Sequence, residues 1–275
     1  MSIEKADLHI HTTASDGLYT PQEIIDSALQ AGLSHISITD HDTLDGLLSL
    51  NADSHVQKLK VIPGIEFSTD LPAHEVHILG YYIDIRSKPL RQQLDVLTED
   101  RRLRVNKILE KLALLGYPIS QEQVLRTAMG ATSVGRPHVA KVLVERGYFS
   151  SVAEVFSQIL SAGKPAYVPH FKLTPEQVIR LIIQAKGVPV LAHPGLIGND
   201  ALVSAIIQKG IRGLEVYHPM HSKGEIAKYL SLARQHNLLV TGGSDFHGIP
   251  ARYPASLGQF YIPADVVYQL QTYRE

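Results

Sequence analysis

Short apolar runs alternate with amphipathic stretches at both ends of this chain. The runs at 6–10, 35–39, 60–65 and 76–85 are rich in Ile, Leu and Val and are bounded by polar residues or glycine, so they read as strands. Between the first two, Thr20-Pro21-Gln22-Glu23 supplies an N-cap, a proline at the first helical position and the glutamate of a capping box. That helix ends near Ala31-Gly32, and a second is predicted from about 44 to 58. The rhythm resumes late: helix 175–186, opened by Thr174-Pro175-Glu176-Gln177, strand 188–192, helix 201–209, strand 213–217, helix 223–236, strand 238–242, strand 259–262 and a final helix from 264. Strands alternating with helices predict parallel βαβ units.

The middle of the chain breaks this rhythm. Only helical periodicity runs from about 94 to 167. Leu94, Leu97, Leu103, Ile108, Leu112 and Leu115 suit a long amphipathic helix that ends at Gly116. A shorter helix opens at 120–123, and two more are predicted at 137–146 and 152–160. The division expected is a barrel built from 1–93 and 173–275, with an all-helical domain, 94–172, inserted into it.

Composition narrows the class. A length of 275 residues and a hydrophobic fraction of 44% allow a sizeable core and argue against disorder. No long apolar run and no charged start with an apolar signal region is present, so neither membrane insertion nor secretion is expected and a cytoplasmic location is. Cysteine is absent, which excludes disulfides and thiolate metal sites; any metal must be held by imidazole and oxygen. The net charge of −1 is unevenly spread: residues 86–172 carry 14 Lys/Arg against 7 Asp/Glu, and the remainder 12 against 20. The basic segment is suited to clamp an anionic substrate, although helix surfaces are often rich in Lys and Arg without such a role.

The candidate chemistry lies in the acidic part. Metal-binding side chains follow the apolar runs: Asp7-Leu8-His9-Ile10-His11 and Asp16; Asp40-His41-Asp42; Glu66; His74-Glu75-Val76-His77; His193; and Asp245-Phe246-His247. A parallel barrel gathers the C-terminal ends of its strands at one rim, so these scattered positions converge on one site. His9 and His11 are two apart on a strand and share a face, and Asp245 and His247 repeat that spacing. A carboxylate ending a buried run, as Glu66 does, is costly unless a metal or partner takes it up. Singly, each has a plain reading as a hydrogen-bonded core histidine or a helix cap, and Asp42 before Thr43-Leu44 could be such a cap. His77 is preferred to His74 because it begins the run His-Ile-Leu-Gly. Six histidines and three carboxylates suit several ions, and mixed N/O ligation suits manganese first, with iron or zinc as alternatives.

Asp7–Gly17 (Asp-Leu-His-Ile-His-Thr-Thr-Ala-Ser-Asp-Gly), Ile-Thr-Asp-His-Asp from 38, Gly-Ile-Glu from 64, Ala-His-Pro from 192 and Gly-Ser-Asp-Phe-His-Gly from 243 resemble the motifs of the PHP (polymerase and histidinol phosphatase) superfamily. The resemblance implies a distorted (β/α)7 barrel holding two to three divalent ions. It implies one metal on His9, His11, Glu66 and Asp245, a second on Glu66, His77 and His193, and a third on Asp16, His41 and His247. The insertion segments Asp100-Arg101-Arg102 with Arg104, Gly135-Arg136-Pro137-His138-Val139-Ala140 and Gly163-Lys164-Pro165-Ala166-Tyr167-Val168 are similar to those of the branch that includes nucleoside 3′,5′-bisphosphate phosphatases and ribonuclease AM, a 5′-to-3′ exoribonuclease.

The activity this implies is metal-dependent hydrolysis of nucleotide phosphoesters through a metal-bridging hydroxide. His138, His193 and Asp245 are the expected catalytic residues. Arg101, Arg104, Arg136, His138, Lys164 and His218 are the expected substrate contacts, the arginines because guanidinium suits bidentate phosphate binding. His138 has an equal reading as an ordinary helix N-terminal residue, and Glu215, His218 and His221 are expected to support the ligands or touch substrate. The expected partner is a mononucleotide or short oligonucleotide, not a long duplex, since the overall charge is modest. The alternatives are a small-molecule phosphatase of the histidinol-phosphate type and a metal-stabilised module that binds RNA ends without turnover.

Overall fold

A computed structural model describes residues 4–50, 58–71, 74–128, 130–169, 173–249 and 253–274. Its sheet contains β1 (Lys5–Ile10), β2 (His35–Ile38), β3 (Lys60–Leu71), β4 (His74–Tyr81), β5 (Val188–Leu191), β6 (Gly213–Tyr217), β7 (Leu239–Gly242) and β8 (Ile262–Pro263), ordered β7-β6-β5-β4-β3-β2-β1-β8. The sheet curls into a nearly closed barrel. The first residues of β1 pair with β8, whereas its end meets the segment after β7, where His11 N–H donates to the Phe246 carbonyl at 2.9 Å. This is the expected distorted barrel of seven strands, with β8 added at one edge.

The pairing departs from the expected parallel units at one strand. β1–β2, β2–β3, β5–β6 and β6–β7 are parallel, but β4 runs antiparallel to both β3 and β5. Only two residues separate β3 from β4, too few for a crossover, so the two form a hairpin. The consequence matters for the site. The rim that collects the ends of the parallel strands collects the beginning of β4, which is why His77 precedes its apolar run while the other ligand-type residues follow theirs.

Helices α1 (Pro21–Gln30) and α7 (Pro175–Gln184) begin with the capping boxes read from the sequence, Thr20 with Glu23 and Thr174 with Gln177. The helix expected at 44–58 is one turn, α2 (Asp45–Leu48); residues 51–57 lie outside the described residues. Asp42 does not cap it: α2 begins after Leu44 with no side-chain cap. On the outer face, Phe67, Ile78, Ile182, Leu191, Leu214 and Tyr229 join the sheet to α7 and to the later helices. Burying each of the Phe, Ile and Leu side chains contributes about 1.5–3 kcal/mol.

Between β4 and α7 lie α3 (Lys88–Leu114), α4 (Gln121–Thr127), α5 (Arg136–Glu145) and α6 (Val152–Val155), which continues into a π-turn over Phe156–Leu160. They enclose their own apolar cluster, including Ile108, Leu112, Val124, Val139, Leu143 and Leu160. Helix α3 is shared. Leu90, Leu94 and Leu97 pack with the barrel's core, and Val105, Ile108 and Leu112 with the helical cluster, so residue 94 falls within a continuous helix. Leu103, expected on its apolar stripe, is 45% exposed. Arg101 and Arg104 take buried positions there instead, because this face of α3 looks toward the polar rim. The remaining helices are α8 (Asp200–Ile207), α9 (Lys223–Gln235) and α10 (Asp265–Arg274). Among the described residues no helix is long and apolar enough to cross a membrane.

Candidate metal centre

Glu66, on β3, is 1% exposed and has imidazole nitrogens around both carboxylate oxygens. Oε2 lies 3.3 Å from His9 Nε2, 3.2 Å from His11 Nε2 and 3.1 Å from His41 Nδ1. Oε1 lies 2.9 Å from His77 Nδ1 and 3.1 Å from His193 Nε2. Asp245 Oδ1 faces His9 and His11 at 3.5 and 3.2 Å, and Asp16 Oδ1 faces His247 Nε2 at 3.3 Å. Residues from six strands or the loops behind them therefore meet at one rim. All nine residues expected as ligands lie here.

These spacings fit metal ligation. Two donors about 2.1 Å from one ion, at tetrahedral or octahedral angles, stand about 3.0–3.4 Å apart. Three groups have donor atoms close enough to share an ion: His9, His11 and Asp245; His41, Glu66 and His77; and His11, Asp16, His41 and His247. The last adds His11 to the three residues expected. It also contains three buried atoms, His11 Nδ1, Asp16 Oδ1 and His41 Nδ1, that have no hydrogen-bond partner among the described residues. Buried polar atoms of this kind are costly unless something takes them up, and a divalent cation does so.

The charge balance follows from the same geometry. Burial alone would raise the Glu66 carboxyl, but His41, His77, His9 and His11 hold it well below its ordinary range. Burial opposes ionisation of Asp16 and Asp245 too, and their neighbouring imidazoles overcome it. Burial acts on His11 in the other direction, yet Asp245, Glu66 and Asp16 raise it to about 10. His41 loses that contest, because burial and its cationic neighbours push it down to about 3.

A shell of groups holds the candidate ligands in place. Glu215 on β6 accepts from His9 Nδ1 at 2.9 Å and from the His193 backbone N–H at 2.8 Å. Asp40 accepts from Thr12 N–H at 2.7 Å and Ser15 Oγ at 2.6 Å, which fixes the loop that carries Asp16. Asp7 accepts from Ser244 N–H at 2.8 Å, and burial raises its carboxyl to about 6. Asp7 and Asp40 were legible as ligand-type residues, but they brace the ligand loops. Gly243 lies so close to β1 that a Cβ would stand 2.4 Å from the Cβ of His9. His193 and Asp245 have φ of 26° and 50°, which non-glycine residues adopt at a cost and which surrounding contacts must impose.

A cavity opens over Asp16, His41 and His77, with Arg101, Arg104 and Arg136 in its lining. Arg101 is ion-paired with buried Asp42. Arg104 Nε donates to the Val168 carbonyl at 2.7 Å, and Arg136 lies 5.5 Å from the Phe156 ring. His138 lines the same cavity, but its Nδ1 accepts from Gly135 N–H at 3.1 Å, so it caps its own helix. Burial first, and then the cations Lys141 and Arg101, lower it to about 4, although Asp16 pulls the other way. Its ring is neutral near pH 7 and is not a ready proton donor.

Two expected substrate contacts lie elsewhere. Lys164 is exposed and outside the cavity's lining. His218 is 2% exposed, with its Nε2 3.5 Å from Asp245, and lies outside the cavity's lining. His221 receives Gly195 N–H at 3.1 Å and donates to the Val216 carbonyl at 2.9 Å, which occupies both ring nitrogens in holding the turn after His193. His74 turns to Asn199 at 3.4 Å and leaves the centre to His77.

Comparison with known proteins gives a consistent pattern. The PHP domain model matches residues 7–165. The chain is 37% identical over 276 residues to the 5′-3′ exoribonuclease Rnm of Salmonella typhimurium, covering 98% of this chain and 94% of that protein. It is 32% identical to the 3′,5′-nucleoside bisphosphate phosphatase of Chromobacterium violaceum, covering 88% and 86%. A crystal structure from Bifidobacterium adolescentis, provisionally assigned as a metal-dependent phosphoesterase, superposes with a TM-score of 0.87 at 30% identity, covering 97% of this chain and 95% of that one.

Proposed function

The chain belongs to the PHP domain family, and from that premise we propose that it removes the 3′ phosphate from nucleoside 3′,5′-bisphosphates, releases 5′ nucleotides from short RNA, or does both. It is a metal-dependent phosphoesterase in either case. One observation carries the reading: a buried carboxylate ringed by five imidazoles stands beneath a cavity lined by three arginines.

In this reading His9, His11, Glu66 and Asp245 hold one divalent ion, Glu66, His77 and His193 a second, and Asp16, His41 and His247 a third, with manganese first and iron or zinc as alternatives. Divalent ions bound there lower the pKa of water and draw charge from phosphoryl oxygens. The protein's own part is positioning. Glu215 holds the His9 ring by its Nδ1, so that Nε2 faces the centre. Arg104 and Arg136 orient phosphate oxygens by paired N–H groups, and Arg101, tied to Asp42, fixes the wall between them. Residues 94–172 act as a cap that screens the site from bulk water. His193 and Asp245 act as ligands, and His138 holds the N-terminal end of α5 against the cavity. The enzyme works in the cytoplasm, where nucleotide substrates of this kind arise.

The test is hydrolysis by manganese-loaded protein of adenosine 3′,5′-bisphosphate, a short 5′-phosphorylated RNA and histidinol phosphate. Fast release from either nucleotide substrate, abolished by a chelator, supports the reading and ranks its two forms. Preference for histidinol phosphate overturns it in favour of a small-molecule phosphatase. No turnover of any substrate by metal-loaded protein overturns it in favour of a binding module.

A further inference from the structure

We propose that the trough between α4 and α5 is the path by which single-stranded RNA leaves the catalytic cavity, binding the nucleotides 3′ to the one being released. The inference rests on the nucleotide phosphoesterase reading and adds a subsite to it. Helix α5 joins the two places. Its first residues, Arg136, Pro137 and His138, line the cavity, and Lys141, Glu145 and Arg146 farther along line the trough. At about 1.5 Å per residue, Arg146 lies roughly 15 Å along the axis from Arg136, room for several nucleotides of a single strand. Leu18, Gln123 and Arg126 complete the opposite side.

The trough and the cavity share a wall. Lys141 Nζ lies 3.5 Å from the Asp16 carbonyl, and Asp16 itself lines the cavity. A chain whose 5′ end sits over the metal centre therefore passes Lys141 on leaving and next meets Arg126 and Arg146.

Charge distinguishes this exit from a neighbouring depression. A second surface depression begins at Thr132, next to Ser133 of the cavity lining, and is bordered by Asp45, Asp95 and Glu99 against a single cation, Arg91. The trough at α4 and α5 has the opposite balance, three cations against Glu145. A phosphate backbone is repelled along the first route and neutralised along the second, and the gain is the counterion release that drives single-strand binding. The Phe and Tyr residues that stack bases in dedicated sequence readers do not line the trough, so the contact expected is with backbone and tolerant of sequence.

The experiment uses the full chain loaded with manganese and two probes, adenosine 3′,5′-bisphosphate and a 5′-phosphorylated RNA pentamer. Affinity is measured in parallel by fluorescence anisotropy with a hydrolysis-resistant phosphorothioate form of the pentamer. Arg126→Glu combined with Arg146→Glu should lower the ratio of kcat/KM for the pentamer to that for the bisphosphate about tenfold or more. It should weaken pentamer binding and reduce the slope of log Kd against log salt by about 1 to 2. Asp95→Lys, on the acidic side, should leave the ratio and the slope unmoved. An unchanged ratio and slope in the double variant overturns the proposal, and so does a gain in pentamer binding with Asp95→Lys. A wild-type pentamer affinity no tighter than that of the bisphosphate overturns it as well. Failure of the catalytic reading is separate, since it shows as no hydrolysis of either probe while the anisotropy still reports the trough.

Discussion

The Glu215 carboxylate lies 2.9 Å from His9 Nδ1, and neither side chain is exposed. The same carboxylate takes the His193 backbone N–H at 2.8 Å, so one residue of β6 aligns expected ligands from two other strands. Glu215→Gln keeps the size but presents an amide N–H to one of two donors. Outer partners of this kind are worth about 10–100-fold in metal affinity. The variant should bind manganese that much more weakly in a calorimetric titration while remaining folded. Unchanged affinity would show that Glu215 has no part in aligning the ligands.

Arg101 and Asp42 form a buried pair that joins α3 to the barrel rim, with Asp42 held at φ 52° and accepting from Ser68 N–H at 3.1 Å. Removing one partner strands the other charge, which costs about 3–5 kcal/mol in such pairs. Arg101→Ala should therefore lower stability to urea by that order and raise KM. Asp42→Ala together with Arg101→Ala should recover part of the stability but none of the KM. Recovery of KM in the double variant would show that the Arg101 side chain does not shape the cavity wall.

The convergence of the candidate ligands was legible because metal chemistry puts rare residue types at predictable places. His9 and His11, and then Asp245 and His247, show strand spacing, and Glu66 and His193 close apolar runs. The reversal of β4 was not legible. Its pattern is that of any buried strand, and direction is set by the brevity of the preceding link, not by the strand's own residues. Lys164 and His218 illustrate a second limit. The basic insertion suggested substrate contact for Lys164, and His218 had two open readings, but where a side chain points depends on its neighbours: Lys164 is left outside the cavity, and His218 is turned against Asp245, as its supporting reading expected. The role of Arg101 was half legible, because its guanidinium was visible as a phosphate donor while its partner Asp42 read as a helix cap.

Without metal, the protein should lose stability as pH falls from about 6.5 toward 4. His41 and His138 titrate near 3 and 4 when folded, against 6.5 in the unfolded chain. In this window the unfolded state binds two protons that the folded state refuses, which lowers stability with acid. Asp7 has the opposite sign, since its folded value of about 6 lies above its ordinary 3.8. Burial also lowers His35 and His221, which adds to the loss, and raises Asp40, which opposes it, so the depressed imidazoles outnumber the raised carboxyls and stability falls with acid. Below the ordinary carboxylate range, Asp16, Glu66 and Asp245 add to the loss, because their folded values are depressed. His11, at about 10, is protonated in both states here and contributes nothing to the slope. Thermal melts of chelator-treated protein at pH 7, 5.5 and 4 should show a falling Tm. A flat or rising Tm would contradict the burial of His41 and His138 as neutral rings.

His193→Ala separates catalysis from folding more cleanly than any substitution of Glu66. Glu66 faces five imidazoles, and its loss would leave several buried cations without a counter-charge. His193 is different. Among the described residues its Nδ1 has no hydrogen-bond partner; its Nε2 lies 3.1 Å from Glu66 Oε1, and that oxygen keeps His77 at 2.9 Å. The backbone N–H that Glu215 accepts survives the substitution. The variant should therefore unfold cooperatively, with a Tm within a few degrees of the parent, since about 1 kcal/mol moves Tm only by about 2–4 °C in a protein of this size. Activity should fall by about two orders of magnitude or more, because an ion that loses a ligand loses several kcal/mol of its effect on the transition state. Metal content by elemental analysis should drop with it. Full activity at full metal occupancy would remove His193 from the centre, and a non-cooperative melt would show instead that the ring is part of what holds the rim together.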